Sequence, residues 1–173
     1  MGKIILYIAQ SIDGFIADEN GGIGFLDDFV DLEAYGHSAF YSTIGSVIMA
    51  TKTYEDNLKF NYWYEGVDNY LFTNKGYTAP EGKTLHVKQG DPEPLVHELR
   101  KQEKDSWLIG GASLITQFMN KKLVDVLSLN IVPRPVGKGI ALFQDIHTPY
   151  KLALTSSKTF PDSLVQLWYD IQY

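Results

Sequence analysis

The sequence contains no cysteine, and it has only four histidines, which are scattered along the chain. A chain without cysteine has no disulfide bond, no thiolate nucleophile and no cysteine-ligated metal. The histidines at positions 37, 86, 97 and 147 lack the spacing of metal ligands. We therefore predict no metal site.

Basic residues and long apolar runs are also scarce. The net charge of −6 disfavours nucleic acid as a partner, because phosphate binding requires a basic face. The apolar run Ile4–Ala9 is too short to cross a membrane, and no small-residue cleavage site of a signal peptide follows it. We predict a cytoplasmic protein that binds neither nucleic acid nor membranes.

The sequence does contain enough apolar material for one buried core. Its 173 residues are 45% hydrophobic and 13% aromatic, which is too apolar for a disordered chain. A chain of this length suits a single domain. We predict one domain over residues 1–173.

Strand and helix signals alternate along the chain. Apolar runs predict strands at Ile4–Ala9, Ser46–Ala50, Asn69–Thr73, Leu85–Val87, Trp107–Ile109 and Val126–Val132. Helices are predicted over Asp27–Tyr41, from a capping box that starts at Thr53, from Asp91-Pro92 to about Glu103, and over Ser113–Lys121. A closing hairpin is predicted from Lys151–Thr159 and Leu164–Gln172. This order predicts an α/β fold with a mostly parallel central sheet, flanking helices and a C-terminal antiparallel hairpin.

Three of the predicted strands end in residues suited to phosphate binding. Ligands of open α/β sheets bind beyond the carboxyl ends of the strands. Gly110-Gly111 precedes a helix whose free N–H groups can bind phosphate, and Thr51-Lys52-Thr53 and Thr73-Asn74-Lys75 add cations and hydroxyls. Alone, the glycine pair is equally consistent with a tight turn that binds nothing, and each lysine segment is more typical of a solvated lysine at a helix or strand end. Together they favour an extended ligand with several phosphates, such as a dinucleotide.

Four motifs in order connect this chain to a known family. They are S-I-D-G-F-I-A at Ser11–Ala17, V-I-M-A-T-K-T-Y at Val47–Tyr54, L-I-G-G-A-S-L at Leu108–Leu114 and G-K-G-I-A-L-F at Gly137–Phe143. These segments resemble the dihydrofolate reductase superfamily, and within it the reductase domain of bacterial riboflavin biosynthesis. The resemblance covers essentially the whole chain and is most specific in the first and last motifs.

The resemblance implies an NADPH-dependent reductase that transfers a hydride to a small heterocyclic or ribosyl substrate. By position, it assigns cofactor binding to Ala9, Ile16, Thr51, Lys52, Thr53, Thr73, Asn74, Lys75, Gly110, Gly111, Ala112, Ser113 and Leu114. Ala9, Ile16 and the glycine pair would flank the nicotinamide and pyrophosphate. The threonine and lysine segments would line the adenosine side, where Lys52 or Lys75 favours NADPH. Such reductases commonly form homodimers, which the apolar closing hairpin also favours.

Two departures from the family pattern leave the choice between NADPH and NADH, and the identity of the substrate, open. Thr51 stands where the superfamily has arginine, and residues 25–43 contain no lysine or arginine that could hold a phosphoribosyl group. A dihydrofolate reductase is the alternative enzyme, with Asp31 or Glu33 as the catalytic acidic group on the first helix. A solvated acidic helix face is an equally good interpretation of these two residues. The alternative outside enzymes is a nucleotide-binding module without catalysis.

Overall fold

The computed structural model describes residues 1–147 and 149–173. Its strands are β1 Ile4–Ser11, β2 Phe15–Asp18, β3 Ile44–Ala50, β4 Asp68–Phe72, β5 Leu85–Lys88, β6 Asp105–Gly110, β7 Val126–Val132, β8 Gly139–Ala141, β9 Lys151–Thr159 and β10 Val165–Gln172. Its α-helices are α1 His37–Thr43, α2 Thr51–Lys59, α3 Glu93–Leu99 and α4 Ala112–Asn120. A short 3-10 helix covers Gly24–Leu26.

Eight of these strands form one sheet in the order β5-β4-β3-β6-β1-β7-β10-β9. The first six in this order pair in parallel, whereas β10 pairs antiparallel with both β7 and β9. The chain therefore has the predicted α/β fold, with a mostly parallel sheet and a closing antiparallel hairpin. Parallel pairing brings the carboxyl ends of six strands to one edge of the sheet, and this edge positions the site described below.

The core lies on both faces of the sheet, which explains the continuous apolar runs in the central strands. On one face, β1 and β6 pack against side chains of α3 and α4, such as Leu99 and Phe118. On the other face, alternate residues of the same strands pack against Phe40 of α1 and Tyr54 of α2. No helix among residues 1–147 and 149–173 is long and apolar enough to cross a membrane.

The predicted helix over Asp27–Tyr41 is wrong except for its last turns. The helix begins only at His37, because Gly36 takes the left-handed conformation with φ 77° and ψ 25° and interrupts a right-handed helix. Before it, residues 27–36 form turns. Phe25 and Phe29 turn inward and pack with Phe160 in a separate apolar cluster.

Other helix boundaries differ by smaller amounts. The helix predicted from Asp91-Pro92 ends at Leu99 rather than near Glu103, and Arg100 after it pairs with Asp125 at 2.7 Å. α2 begins at Thr51 and has no side-chain cap, so the capping box predicted at Thr53 does not form. α4 begins one residue before the predicted Ser113.

The sequence prediction missed a second, two-stranded sheet in which β2 pairs antiparallel with β8. Both strands are short and only partly buried, so they lack the apolar signal of the central strands. Gly139 makes the close pairing possible, because a Cβ atom there would lie 2.0 Å from the carbonyl oxygen of Ala17. This close approach accounts for the second glycine, Gly139, of the Gly137–Phe143 motif.

Candidate cofactor and substrate site

The Gly110-Gly111 turn lies at the carboxyl end of β6, in the middle of the edge formed by the parallel strands. Gly110 has φ 131°, a conformation that favours glycine. Outside the two adjacent residues, a Cβ atom added to Gly111 would meet no atom within 4 Å, so the space beside this residue is open. The turn therefore offers room for a ligand to approach the backbone.

Two helices start beside this turn with free N–H groups. α2 follows β3 and α4 follows the neighbouring β6, and neither has a side-chain cap at its first turn. Uncapped N–H groups and the positive end of the helix dipole favour a phosphate. The arrangement fits the pyrophosphate of a dinucleotide cofactor.

The residues predicted at the start of α4 differ in what they can offer to such a ligand. Ala112 is half-buried and Ser113 is exposed, in the first turn. Leu114 is buried in the core, and its N–H donates to the Gly111 carbonyl oxygen at 3.0 Å. Leu114 thus supports the helix start rather than presenting a group to solvent.

The predicted adenosine side is assembled from the ends of β3 and β4. The Thr51 hydroxyl donates to the Thr73 hydroxyl at 2.9 Å, and the Thr73 oxygen accepts from the Lys75 N–H at 3.1 Å. Thr73 is buried, whereas Asn74 and Lys75 are exposed beside it. These residues form a small polar platform next to the uncapped start of α2.

Lys52 and Thr53 complete the first turn of α2. Lys52 forms an ion pair with Asp56 one helical turn later, and its side chain is 56% exposed. The loop between β2 and the 3-10 helix reaches the same place, since a Cβ atom on Gly21 would lie 3.3 Å from Lys52 Cε. Thr53 is partly buried in that turn.

Ala9 and Ile16 lie on neighbouring segments at the same edge of the sheet. Ala9 is partly buried near the end of β1 and packs against the cluster of Phe25 and Phe29. Ile16 on β2 packs against the core cluster that contains Leu114. Ala9 thus lies two residues before the end of β1, and Ile16 lies on the short strand that follows β1 in the chain.

Asp31 and Glu33 are not on a helix, which corrects the sequence-based placement. Both side chains are exposed in the turns before Gly36, and Asp31 accepts from the Ala34 N–H at 3.3 Å. A group that protonates a bound ring has to contact that ring in a site shielded from water. Their exposed position therefore favours solvated turn residues over a catalytic role.

Asp13, which the sequence motif contains without an assigned role, joins two loops at the same edge. Its carboxylate accepts from the Ser11 hydroxyl at 2.6 Å and from the N–H groups of Val136 and Gly137 at 3.0 and 2.8 Å. These hydrogen bonds, that of Ser11 foremost, lower the pKa of Asp13 to about 2. The contacts explain why aspartate stands in the Ser11–Ala17 motif.

A cavity of about 380 Å³ lies between α1 and the strands β1, β9 and β10. Its lining includes the aromatic side chains of Tyr7, Tyr35, Phe40 and Trp168 and the polar side chains of Lys158 and Gln166. Within this lining, Tyr7, Gln166 and Trp168 form a hydrogen-bonded group. Sequence reasoning missed this group because Tyr7 and Gln166 are 159 residues apart in the chain.

Side-chain amides connect the polar part of this lining to β7. Gln166 Nε2 donates to Asn130 Oδ1 at 2.9 Å and to Tyr7 Oη at 3.4 Å, and Trp168 Nε1 donates to Gln166 Oε1 at 3.1 Å. Burial raises the pKa of Tyr7, and hydrogen bonds from the two amides partly offset this effect. The Tyr7 hydroxyl is thus neutral at physiological pH.

Comparison with known proteins shows the family to which this chain belongs. The family model of the RibD C-terminal domain matches residues 45–166. A relative in Bacillus subtilis (strain 168), "Uncharacterized protein YwjB", is 35% identical over 171 residues, which cover 96% of this chain and 97% of the relative.

Solved structures share the fold at lower identity. A "Putative riboflavin biosynthesis protein" from Shewanella sp. PV-4 superposes with a TM-score of 0.85 at 23% identity, covering 99% of both chains. A second structure superposes with a TM-score of 0.71 at 17% identity, covering 98% of this chain and 56% of that one. It is the diaminohydroxyphosphoribosylaminopyrimidine deaminase/5-amino-6-(5-phosphoribosylamino)uracil reductase from Thermotoga maritima. Dihydrofolate reductase from Enterococcus faecalis, complexed with NADP(H), superposes with a TM-score of 0.68 at 15% identity, covering 98% of this chain and 96% of that one.

Proposed function

The chain belongs to the RibD C-terminal domain family, and from this membership we propose that it is an NADPH-dependent reductase of the riboflavin-biosynthesis type. The acceptor is a small heterocyclic or ribosyl compound related to 5-amino-6-(5-phosphoribosylamino)uracil. The reduced nicotinamide supplies the hydride, and the protein holds cofactor and acceptor in contact.

One observation carries this proposal. An open glycine turn lies between the starts of two neighbouring helices, and neither helix has a side-chain cap. The turn leaves room for a pyrophosphate, and the free N–H groups of both helices can donate to it. A protein that had kept this fold but bound no dinucleotide would not need an open glycine turn beside two uncapped helix starts.

The remaining predicted cofactor residues extend from this turn in two directions. Toward β4, the platform of Thr51 and Thr73 with Lys75 suits the adenosine and its extra phosphate. Toward β1, Ala9 and Ile16 suit the nicotinamide. The proposed cofactor thus follows the sheet edge from β4 to β1, which agrees with the strand order.

The acceptor site lies on the other side of β1, at the cavity beneath α1. Residues 25–43 provide no cation for a phosphoribosyl group, but Lys158 from β9 lines the cavity. Dihydrofolate is the less favoured acceptor, because Asp31 and Glu33 are exposed and neither lines the cavity.

The proposal is tested by incubating the purified protein with NADPH and either 5-amino-6-(5-phosphoribosylamino)uracil or dihydrofolate, while the absorbance of the reduced nicotinamide is followed. We expect NADPH to be consumed with the pyrimidine. Consumption with dihydrofolate alone would show the alternative enzyme. Binding of NADPH without consumption in either mixture would show a binding module.

A further inference from the structure

The turn after β2 contains the only asparagine-glycine pair of the sequence. The chain has seven asparagines, and of these only Asn20 is followed by glycine. Because glycine has no side chain to shield its backbone nitrogen, the nitrogen of Gly21 can approach the side-chain amide carbon of Asn20. An asparagine-glycine pair in an exposed turn is therefore a place where the chain can react with itself.

The turn presents Asn20 to solvent. Asn20 is exposed, and Gly21 after it takes φ 80°. Asp18 holds the turn: its carbonyl oxygen accepts from the Gly21 N–H at 3.0 Å, and its carboxylate accepts from the N–H groups of Asn20 and Gly22, each at 2.8 Å. The Gly21 N–H has to leave its hydrogen bond before the nitrogen reacts, and exposed turns open at a low cost in free energy.

Other asparagines are held by their own hydrogen bonds or shielded by the next residue. The side-chain amides of Asn69, Asn120 and Asn130 donate to backbone carbonyl oxygens at 2.9, 3.0 and 3.3 Å. Asn61 and Asn74 are exposed, but each precedes a residue with a long side chain, which obstructs the backbone nitrogen. Asn20 thus combines exposure with an unshielded neighbour.

Lys52 places a positive charge beside the nitrogen that would react. A Cβ atom on Gly21 would lie 3.3 Å from Cε and 3.8 Å from Nζ of Lys52, and outside the adjacent residues no other atom among residues 1–147 and 149–173 comes within 4 Å. Attack requires the Gly21 N–H to lose its proton, and the negative charge then passes to the amide oxygen of Asn20. A cation at this position stabilises both charged forms.

We propose that Asn20 is a site of spontaneous deamidation and that Lys52 accelerates the reaction. The Gly21 nitrogen loses its proton to solvent and bonds to the side-chain carbonyl carbon of Asn20. The bond from this carbon to the amide nitrogen then breaks, and the nitrogen takes up a proton and leaves as ammonia. Water opens the resulting cyclic imide at either carbonyl group, which gives an aspartyl or an isoaspartyl residue.

The product adds a carboxylate to the cofactor edge of the sheet. The turn contacts Lys52 in the first turn of α2, where a phosphate of the cofactor is proposed to bind. A negative charge there pairs with the same lysine and repels the phosphate. This consequence rests on the proposed function, whereas the deamidation itself does not.

Incubation of the purified protein in mildly alkaline buffer, followed by peptide mass spectrometry and enzymatic methylation of isoaspartate, measures the reaction. We expect the acid to accumulate at Asn20 before it accumulates at any other asparagine. The reaction should be about two- to fourfold slower in Lys52→Met, because one exposed charge is lost. Lys59→Met is the matched control, since Lys59 also pairs with Asp56 but does not contact Gly21.

Two results would overturn the inference. An Asn20 amide that stays intact during the incubation would overturn the site. Equal rates in the Lys52→Met and Lys59→Met variants would overturn the accelerating role of Lys52.

The effect on the cofactor is tested with a second pair of variants. Asn20→Asp carries the new charge, whereas Asn20→Gln keeps a neutral amide whose longer side chain forms an imide far more slowly. We expect NADPH to bind about two- to fivefold more weakly to Asn20→Asp than to Asn20→Gln. Equal affinity would overturn the effect on the cofactor. Failure of wild type and both variants to bind NADPH would contradict the reductase, whereas the mass spectrum alone decides the deamidation.

Discussion

Single side chains at this site act mainly by holding backbone segments in place. The Asp13 carboxylate joins the loop after β1 to the loop after β7 through three hydrogen-bond donors. Thr73 joins the ends of β3 and β4 in a similar way through Thr51 and the Lys75 N–H. Charge at the proposed adenosine side comes from Lys52 and Lys75, whose surroundings differ.

The two lysines should contribute unequally to the choice of cofactor. Lys52 is already paired with Asp56, and Lys75 is exposed beside the Thr73 platform. We expect Lys75→Ala to lower the ratio of NADPH to NADH affinity about two- to fivefold, and Lys52→Ala to lower it less. Competition binding with both cofactors measures this ratio, with Lys121→Ala as the control. An unchanged ratio in both variants would refute the adenosine-side assignment.

Asp13 should make stability depend on pH in the acid range. Because its pKa in the folded protein lies near 2, below the ordinary 3.8, its hydrogen bonds stabilise the fold fully above that ordinary value. The stabilisation is then lost as the pH falls from about 4 toward 2.

Thermal unfolding of wild type and Asp13→Asn over this range measures the effect. We expect the wild type to unfold at the higher temperature at neutral pH and the difference to shrink as the pH falls. A difference that is constant with pH would mean that the carboxylate charge is not what joins the two loops.

At the scale of elements, prediction from the sequence succeeded where burial leaves a continuous signal. β7 is predicted with its observed bounds and β1 with its start, because central strands are apolar on both faces. The helix predicted over Asp27–Tyr41 failed before His37 because Gly36 takes the left-handed conformation, which a right-handed helix does not continue through. The β2–β8 pair was missed because such short strands carry no alternation.

The candidate site was predictable to a similar extent. Residues that follow buried strands, such as Gly110 and Thr51, could be found because parallel strands end at a common edge. The group of Tyr7, Asn130 and Gln166 could not, since it depends on the register of β1, β7 and β10. A single sequence contains no local signal for that register.

The β2–β8 pair provides a prediction of its own. Gly139→Ala places a methyl group against the Ala17 carbonyl oxygen, and the strands have to separate. We expect a loss of about 1–3 kcal/mol in the free energy of unfolding, measured by chemical denaturation. The matched control is Gly76→Ala, where a Cβ atom meets nothing within 4 Å. Equal stability of the two variants would show that the close pairing is not required.

At the scale of the whole molecule, the sheet ends in an unprotected strand. β9 is the last strand of the sheet, and none of its nine residues is buried. Leu154 and Leu152 are 56% and 38% exposed along it. An exposed apolar edge strand is a surface that pairs readily with a second copy.

We therefore expect a homodimer that uses this edge. Sedimentation of the wild type should show a dimer, and Leu154→Lys should shift the distribution toward monomer by placing a charge on the edge strand. Leu58→Lys on α2 is the control, because Leu58 is also exposed but lies away from β9. A wild-type protein that sediments only as monomer would contradict the homodimer.

Binding of a nicotinamide dinucleotide at the glycine turn is the central claim, and calorimetric titration with NADPH and NADH tests it most directly. Gly111→Ala is the matched variant, because its backbone angles, φ −77° and ψ −171°, are open to alanine and the added methyl group meets no atom within 4 Å outside the two adjacent residues. We predict that wild type binds NADPH and that Gly111→Ala, with an unchanged unfolding temperature, binds it at least about tenfold more weakly, since the methyl group occupies the space of the pyrophosphate. A wild-type protein that binds neither cofactor would contradict the account.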